Sequence, residues 1–396
     1  MPPPSRSALD SFASADPVAG AGAASLARYA RQLALPGFGV EGQRRLERGS
    51  VLLVGAGGLG SPVALYLAAA GVGRLGIVDF DRVDLTNLHR QLLHGEADVG
   101  RPKTDSARQR LASINSGVHV EAHPVRLSAR NALALVRQYD VVVDGSDNFS
   151  TRYLVSDACV LAATPDVMGS VLRFAGQVSV LATRDGPCYR CLYPEPPPPD
   201  TVPTCAEGGV LGVVPGLVGM IQATEVIKLL AGVGTPLAGR LLLVDALRMR
   251  FDEIRFDRDA RCRACGTREI TELADDDERC AVGVGAPEPG EANAIPASRL
   301  AEWLRDGQEL DIIDVREPFE FAIARIPGAR LVPLGTLERA IPTLDPGRQI
   351  VMLCHHGVRS HAAAELLRSR GFPRVWNLIG GIDAWSTEVD PTVPRY

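Results

Sequence analysis

The chain has little that would commit it to nucleic acid, a membrane or secretion. Its 42 lysines and arginines against 47 aspartates and glutamates leave a net charge of -5. That is too mild to single out a phosphate backbone or an anionic lipid surface as partner. Cysteine is scarce at eight in 396 residues, so the chain is no disulfide scaffold. The N-terminus has no apolar leader: Met1 to about Ala24 is alanine, serine, proline and glycine, and reads as a disordered lead-in. The one long uncharged stretch, Val51 to Gly73, holds a glycine cluster and Pro62, and fits a strand, a tight turn and a helix better than a membrane span. No internal repeat is visible. These absences lead us to expect a soluble cytoplasmic protein with neither nucleic acid nor membrane as partner. Its 46% hydrophobic and 22% charged residues can bury ordinary cores, and its length suggests two or three domains.

What cysteine there is falls into a pattern. Cys188-x-x-Cys191 and Cys262-x-x-Cys265 lie about 70 residues apart. Each C-x-x-C turn aims two thiolates at one point, and two such turns complete a tetrahedral zinc cage. The alternatives are reduced core thiols or a disulfide. Cys159 sits in an apolar helical pattern and reads as a core thiol; Cys280 reads as a linker thiol.

Strands alternate with helices, which indicates a mostly parallel α/β sheet. Val51 to Val54 is a short apolar run that ends in Gly55-Ala56-Gly57-Gly58-Leu59-Gly60, and Pro62 suits the first turn of a helix running to Ala70. Leu75 to Asp79 and Tyr139 to Asp144 are further strands, and Gly216 to Leu230 is a helix. The proline run Pro196 to Pro199 opens a loop that carries Cys205. In the last hundred or so residues, Asp311 to Val315 and Gln349 to Leu353 are strands and Ser360 to Arg370 is a helix.

The pattern Gly55-x-Gly57-x-x-Gly60 between strand and helix is a phosphate-binding turn, and Asp79 stands where a ribose hydroxyl is bound. On its own this fits NAD, FAD or ATP. The run from Asp79 to Gln91 adds Thr86, Asn87, Leu88, His89, Arg90 and Gln91, and Lys103 follows. Such cations suit a triphosphate better than a dinucleotide. Asp147 and Asn148 follow a strand's C-terminal end, where a carboxylate can hold Mg²⁺ against phosphates.

With Arg28-Tyr29-Ala30-Arg31-Gln32, Cys188-Tyr189-Arg190-Cys191 and Thr204-Cys205, these pieces span nearly all of residues 28–267 and resemble the MoeB/ThiF adenylyltransferases, relatives of ubiquitin-activating enzymes. The resemblance implies a Rossmann-like adenylation domain with a structural zinc site. It implies that the terminal glycine carboxylate of a ubiquitin-like sulfur carrier ending in Gly-Gly attacks the α-phosphate of ATP. Gly58, Asp79, Asn87, Arg90, Lys103 and Asp147 would carry ATP and Mg²⁺. Arg31 matches an arginine that relatives insert into the partner subunit's site, which implies a homodimer, and Cys205 matches a cysteine that some relatives link covalently to the carrier.

A second thiol stands apart. Cys354-His355-His356-Gly357-Val358-Arg359-Ser360 leaves a strand and enters a helix, so backbone N–H groups, the helix dipole and Arg359 favour a thiolate or persulfide at Cys354. With Asp314 to Phe321, Ile326 to Ala329 and Gly380 to Trp385, this segment resembles a smaller α/β rhodanese sulfurtransferase domain. Arg325 departs from that pattern, where many relatives have histidine. Four residues separate Cys354 from Arg359, one fewer than in phosphatases that share the fold, and the tighter loop fits a single sulfur atom. His355 and His356 read as rim residues. The expected organisation is a lead at 1–24, an adenylation domain at 25–272, a linker at 273–293 and a rhodanese domain at 294–396. Carrier adenylylation would be followed by delivery of persulfide sulfur, drawn from thiosulfate or another persulfide, to give a thiocarboxylate for molybdopterin, thiamine, cysteine or tRNA thiolation. The rivals are an adenylyltransferase with an inert tail, an NAD-dependent oxidoreductase and a non-enzymatic scaffold that merely docks a ubiquitin-like protein.

Overall fold

The computed structural model describes residues 23–196, 209–275 and 293–395. The chain divides into two compact units near residue 277. Cys205 and Cys280 lie outside the described residues, as does most of the expected lead and linker.

The first unit is built on an eight-stranded sheet of order β3-β2-β1-β4-β5-β6-β7-β8. β1 (Ser50–Val54), β2 (Arg74–Val78), β3 (His119–His123), β4 (Val141–Asp144) and β5 (Asp166–Leu172) run parallel. β6 (Ala175–Leu181), β7 (Arg240–Asp245) and β8 (Arg250–Arg255) continue antiparallel. Every residue of β1 is buried, and the run is continuous Val/Leu because helices cover both faces. Successive side chains serve opposite cores: Val51 and Leu53 enter one cluster, Leu52 and Val54 the other. The chain leaves β1 towards β2 and β3, then returns to β4 on the other side. The crevice where the order reverses is where open α/β sheets bind ligands.

The helices are α1 (Ala23–Leu33), α2 (Gly39–Arg48), α3 (Gly60–Ala70), α4 (Lys103–Ile114), α5 (Ala132–Val136), α6 (Phe149–Ala162), the single turn α7 (Tyr189–Leu192) and α8 (Val213–Ala231). α8 alone among the described helices is long and apolar enough to cross a membrane by length and composition. It is instead a core helix: Val214, Val218 and Val226 join the main core, and Gln222 is fully buried. The membrane look-alike foreseen at Val51 to Gly73 resolves into β1, the glycine turn and α3.

The second unit carries a five-stranded parallel sheet, β11-β10-β12-β13-β9. Its strands are β9 (Ala294–Ile295), β10 (Leu310–Asp314), β11 (Arg330–Leu331), β12 (Gln349–Leu353) and β13 (Val375–Leu378). Asp314 ends β10 fully buried. Its carboxylate takes two bonds from the Nε of Arg316, at 2.9 and 3.1 Å, and the same guanidinium donates to the carbonyl of Ala324 at 2.7 Å. Removing one partner leaves a buried charge uncompensated, which costs about 3–5 kcal/mol. All three tryptophans, Trp303, Trp376 and Trp385, belong to this unit. Asp314→Asn is therefore expected to lower the thermal midpoint followed by tryptophan fluorescence. An unchanged midpoint would show that the pair is dispensable.

Candidate nucleotide, metal and sulfur sites

The glycine turn joins β1 to α3. Gly55 has φ +94° and donates its N–H to the Val78 carbonyl at 2.9 Å. A Cβ at residue 60 would be driven into the Gly55 carbonyl oxygen, so α3 can start there only on glycine. Gly58 packs beneath Pro215 and Arg90. A Cβ on Gly57, by contrast, would meet only the Nε2 of Gln91 at 3.7 Å, so the turn's upper face is open to a ligand. Beside it, Gln91 is buried with its Oε1 unbonded. An open glycine face and an orphaned acceptor fit a bound polar group such as nucleotide.

Asp79 follows β2 and accepts from the backbone N–H groups of Ala56 and Asp81, each at 2.8 Å, so it braces the turn. Asp84 caps a 3₁₀ turn through the N–H and Oγ1 of Thr86, and that turn presents Asn87, Leu88 and His89. The guanidinium of Arg90 bonds Asn87 Oδ1 at 2.7 Å and the Thr86 carbonyl at 3.3 Å, and contacts the His89 ring at 2.7 Å. Desolvation, then the charge of Arg90, lowers the pKa of His89. Lys103 starts α4 with a buried stem, and its Nζ pairs with Asp81 at 2.8 Å. Asp147 is exposed beyond the end of β4, and Asn148 caps α6 by accepting from the Thr151 N–H at 2.9 Å. Arg31 is exposed on α1.

Sequence reasoning missed the braces behind this site. His94 is buried between Ser106 Oγ at 2.8 Å and the Ala56 carbonyl at 3.1 Å, and burial lowers its pKa, so a neutral ring ties the glycine turn to α4. Gln222 of α8 donates to the carbonyls of Asp144 and Val167 at 2.9 Å each. No local pattern marks either residue.

Cys188, Cys191, Cys262 and Cys265 converge. Their sulfurs all lie within 4.8 Å of one another, with separations of 3.5 Å (188–262), 3.3 Å (191–265) and 3.9 Å (188–191). A tetrahedron with Zn–S of ~2.3 Å has edges of ~3.8 Å, so the cage fits zinc. Gly266 permits the second turn, because a Cβ there would meet the carbonyls of Asp259 and Ala260. The N–H of Asp259 donates to Cys191 Sγ at 3.4 Å. The Cys188 thiol, then that N–H, favours the thiolate at Cys191, whose pKa falls to about 5. Neither pair is a disulfide. Cys159 is a free, fully buried core thiol. Zinc, if resident, is expected at about one per chain by atomic emission, and Cys191→Ser should lose it with a lower midpoint for this unit. Wild-type protein that retains no zinc when purified without chelator would refute the assignment.

In the second unit, Cys354 follows β12 and is buried. Its Sγ accepts from the Gly357 N–H at 3.1 Å and from Ser360 Oγ at 3.3 Å. Gly357 has φ +99°, and its carbonyl is held by Asn377 Nδ2 at 3.1 Å. A Cβ on Gly381 would strike the carbonyls of Cys354 and His355, so the Gly380-Gly381 corner lets α13 (Gly381–Glu388) back the loop. Helices α9 to α12 are Ala297–Arg305, Pro318–Ile323, Leu337–Ala340 and Val358–Ser369. Arg359 pairs bidentately with Glu320 of α10, at 2.8 Å for each nitrogen. His355 and His356 stack at 4.1 Å.

These sites define a class: an α/β nucleotide-binding unit with a four-cysteine cluster that could hold a metal, and a second α/β unit in which, among the described residues, one buried cysteine follows a strand. Residues 29–264 match the ThiF family and residues 296–388 the rhodanese-like domain. The chain belongs to the ThiF family and carries a C-terminal rhodanese-like domain. It is 47% identical over 379 residues to the "Probable adenylyltransferase/sulfurtransferase MoeZ" of Mycobacterium tuberculosis, covering 94% of this chain and 95% of that one. It is 44% identical over 391 residues to "Adenylyltransferase and sulfurtransferase MOCS3-2" of Zea mays, covering 93% and 80%. Among solved structures, Escherichia coli MccB with AMPCPP and MccA aligns with a TM-score of 0.55 at 23% identity, covering 61% and 74%, which speaks to fold alone. The chain is an adenylyltransferase and sulfurtransferase, and nothing in these relatives favours an oxidoreductase.

Burial first, then the charge of His356, lowers the His355 pKa from 6.5 to about 4. Between those values the unfolded chain binds a proton that the folded one does not, so stability is lost as pH falls through this window. Tryptophan-detected melting of the second unit is expected to worsen from about pH 6.5 to about 4, and His355→Gln should flatten that slope. Identical slopes would remove His355 from the account.

Proposed function

We propose that this chain adenylylates the C-terminal glycine of a ubiquitin-like sulfur carrier ending in Gly-Gly and then converts it to a thiocarboxylate. The observation that carries the sulfur step is the buried Cys354 sulfur. It receives the Gly357 N–H and the Ser360 hydroxyl in a chain whose other unit adenylates. Both donors suit an anionic sulfur more than a neutral thiol.

The carrier carboxylate attacks the α-phosphate of ATP. Pyrophosphate leaves and a carrier acyl-adenylate remains. Arg90 and Lys103 face the phosphates, and Asp147 would hold Mg²⁺, which supplies charge neutralisation there. In a homodimer, Arg31 of α1 would reach the neighbouring site. Zinc would fill the four-cysteine cage as a structural ion, in keeping with free thiols and a reducing cytoplasm. A persulfide on Cys354, loaded from thiosulfate or a donor persulfide, attacks the acyl carbon through its terminal sulfur. AMP leaves and an acyl disulfide forms. A thiol attacks Cys354 Sγ, releases the thiocarboxylate and leaves a disulfide that an external dithiol reduces; in our reading Cys205 either receives the carrier or serves as that thiol.

Incubating candidate Gly-Gly carriers with enzyme, ATP and a sulfur source should replace one oxygen by one sulfur in the intact mass. Cys354→Ala should abolish that shift and leave ATP–pyrophosphate exchange intact. Asp147→Asn should cut exchange by about 10²-fold. A thiocarboxylate formed as well by Cys354→Ala would make the rhodanese unit an inert tail.

A further inference from the structure

Between the nucleotide crevice and the cysteine cage runs a buried polar chain that neither chemistry explains. At its centre is Arg152 of α6, only 7% exposed. Its Nη2 donates to the carbonyls of Ser146 at 2.9 Å and Gly169 at 3.3 Å. Its Nε faces Asp144 Oδ2 at 3.4 Å, an ion pair not aligned as a hydrogen bond, and both atoms are otherwise unbonded. Asp144 binds the same turn from below, accepting from the N–H and Oγ of Ser146 at 2.9 and 2.6 Å. Ser146 is thus gripped at its N–H, hydroxyl and carbonyl, and the next residue is Asp147. The turn also abuts the phosphate turn: Gly145 donates to the Val54 carbonyl at 3.0 Å, and a Cβ on Gly55 would lie 3.1 Å from the Gly145 carbonyl.

On its far side, Arg152 lies over the ring of Tyr189, 5.9 Å from its centroid. Tyr189 stands between the metal-site residues Cys188 and Cys191 and is 2% exposed. It packs edge-on against Tyr153 at 5.0 Å, and its N–H donates to Ser156 Oγ at 3.2 Å. Arg190 locks the same cysteine turn to α6 by pairing with both oxygens of Asp157, at 2.8 and 2.9 Å. α6 therefore has the cysteine turn on one side and the Ser146-Asp147 turn at its start. Asp166, buried with both oxygens unbonded, completes the group. Burial, then the charge of Asp144, pushes its pKa well up.

We propose that Arg152 is a positioning residue for adenylation: it holds the Ser146-Asp147 turn against the phosphate turn and, through Tyr189, ties it to the cysteine cage. This rests on the adenylation reading above and on metal occupancy of the cage. Coupling between two binding sites is reciprocal, so nucleotide in the crevice must tighten metal binding at the cage by the factor with which the metal favours nucleotide.

The test uses the full-length zinc-loaded chain. The equilibrium release of zinc to a competing chromophoric chelator is measured with and without a non-hydrolysable ATP analogue plus Mg²⁺, and analogue affinity is measured by calorimetry. In the wild type, the analogue should raise the chelator concentration needed for half release several-fold. Arg152→Met should weaken the analogue about tenfold and lower the kcat of exchange by more, because the carboxylate is misplaced as well as the nucleotide. Arg152→Lys should recover part of both losses. Tyr189→Leu should leave Arg152 in place yet uncouple zinc release from the analogue. Zinc release indifferent to nucleotide in the wild type would overturn the proposal. So would Arg152→Met that retains zinc and binds the analogue within about twofold of wild type. Should Arg152→Met fail to fold, the wild type, Arg152→Lys and Tyr189→Leu still decide. Absence of exchange with every carrier would sink the adenylation reading instead, since the affinity and release measurements need no carrier.

Discussion

The first unit depends on a methyl group that is not there. α3 can begin against β1 only because residue 60 has no side chain to collide with the carbonyl of Gly55. That contact lets the helix N-terminus point into the crevice where the strand order reverses, which gives a phosphate its N–H groups and positive potential. Everything else in the crevice is placed relative to this turn. Asp79 braces it from the end of β2, His94 through its bond to Ser106 of α4, Gly145 from the end of β4 and Pro215 from α8. A site held from four elements reorganises little when charge develops, which is the condition for electrostatic stabilisation of a transition state.

Cysteine does opposite things in the two units, and its surroundings decide which. In the cage, four sulfurs share one small volume, and each is the others' nearest polar neighbour. Such a set is stable only if a cation or shared protons offset its charge, which suits it to hold a metal. Cys354 stands by itself. Its nearest polar partners are an N–H and a hydroxyl, and neither competes as a nucleophile. A lone sulfur with donors around it can carry a second sulfur and pass it on.

The parts legible in the sequence were those whose meaning is local. The glycine turn, both C-x-x-C turns and the Cys354 loop each complete their geometry within a few residues, and the spacing alone implied a strand, a turn and a helix. The strand at Gln349–Leu353 begins and ends where its apolar run does. The braces were illegible because their partners are remote. Gln222 serves Asp144 from 78 residues away, and Glu320 claims Arg359 from 39. A lone glutamine in an apolar helix carries no mark of the carbonyls it will satisfy. The partner of Arg359 was illegible for the same reason: the motif places the cation near sulfur, and only the tertiary fold supplies its carboxylate.

Two cation–carboxylate pairs with similar distances then behave differently. Lys103 meets Asp81 at 2.8 Å, but the carboxylate side chain is 49% exposed, so water replaces it cheaply and the ammonium can turn to a phosphate. The lysine's buried stem fixes where that ammonium starts, so little freedom is lost on turning. Arg359 meets Glu320 through two parallel bonds, and the glutamate side chain is only 7% exposed. Separating that pair would strand a carboxylate out of water, which is costly. The first pair leaves a cation that can be freed for an anionic ligand. The second ties the start of α12 to α10. The Gly357 N–H and the Ser360 hydroxyl are the donors aimed at the Cys354 sulfur itself.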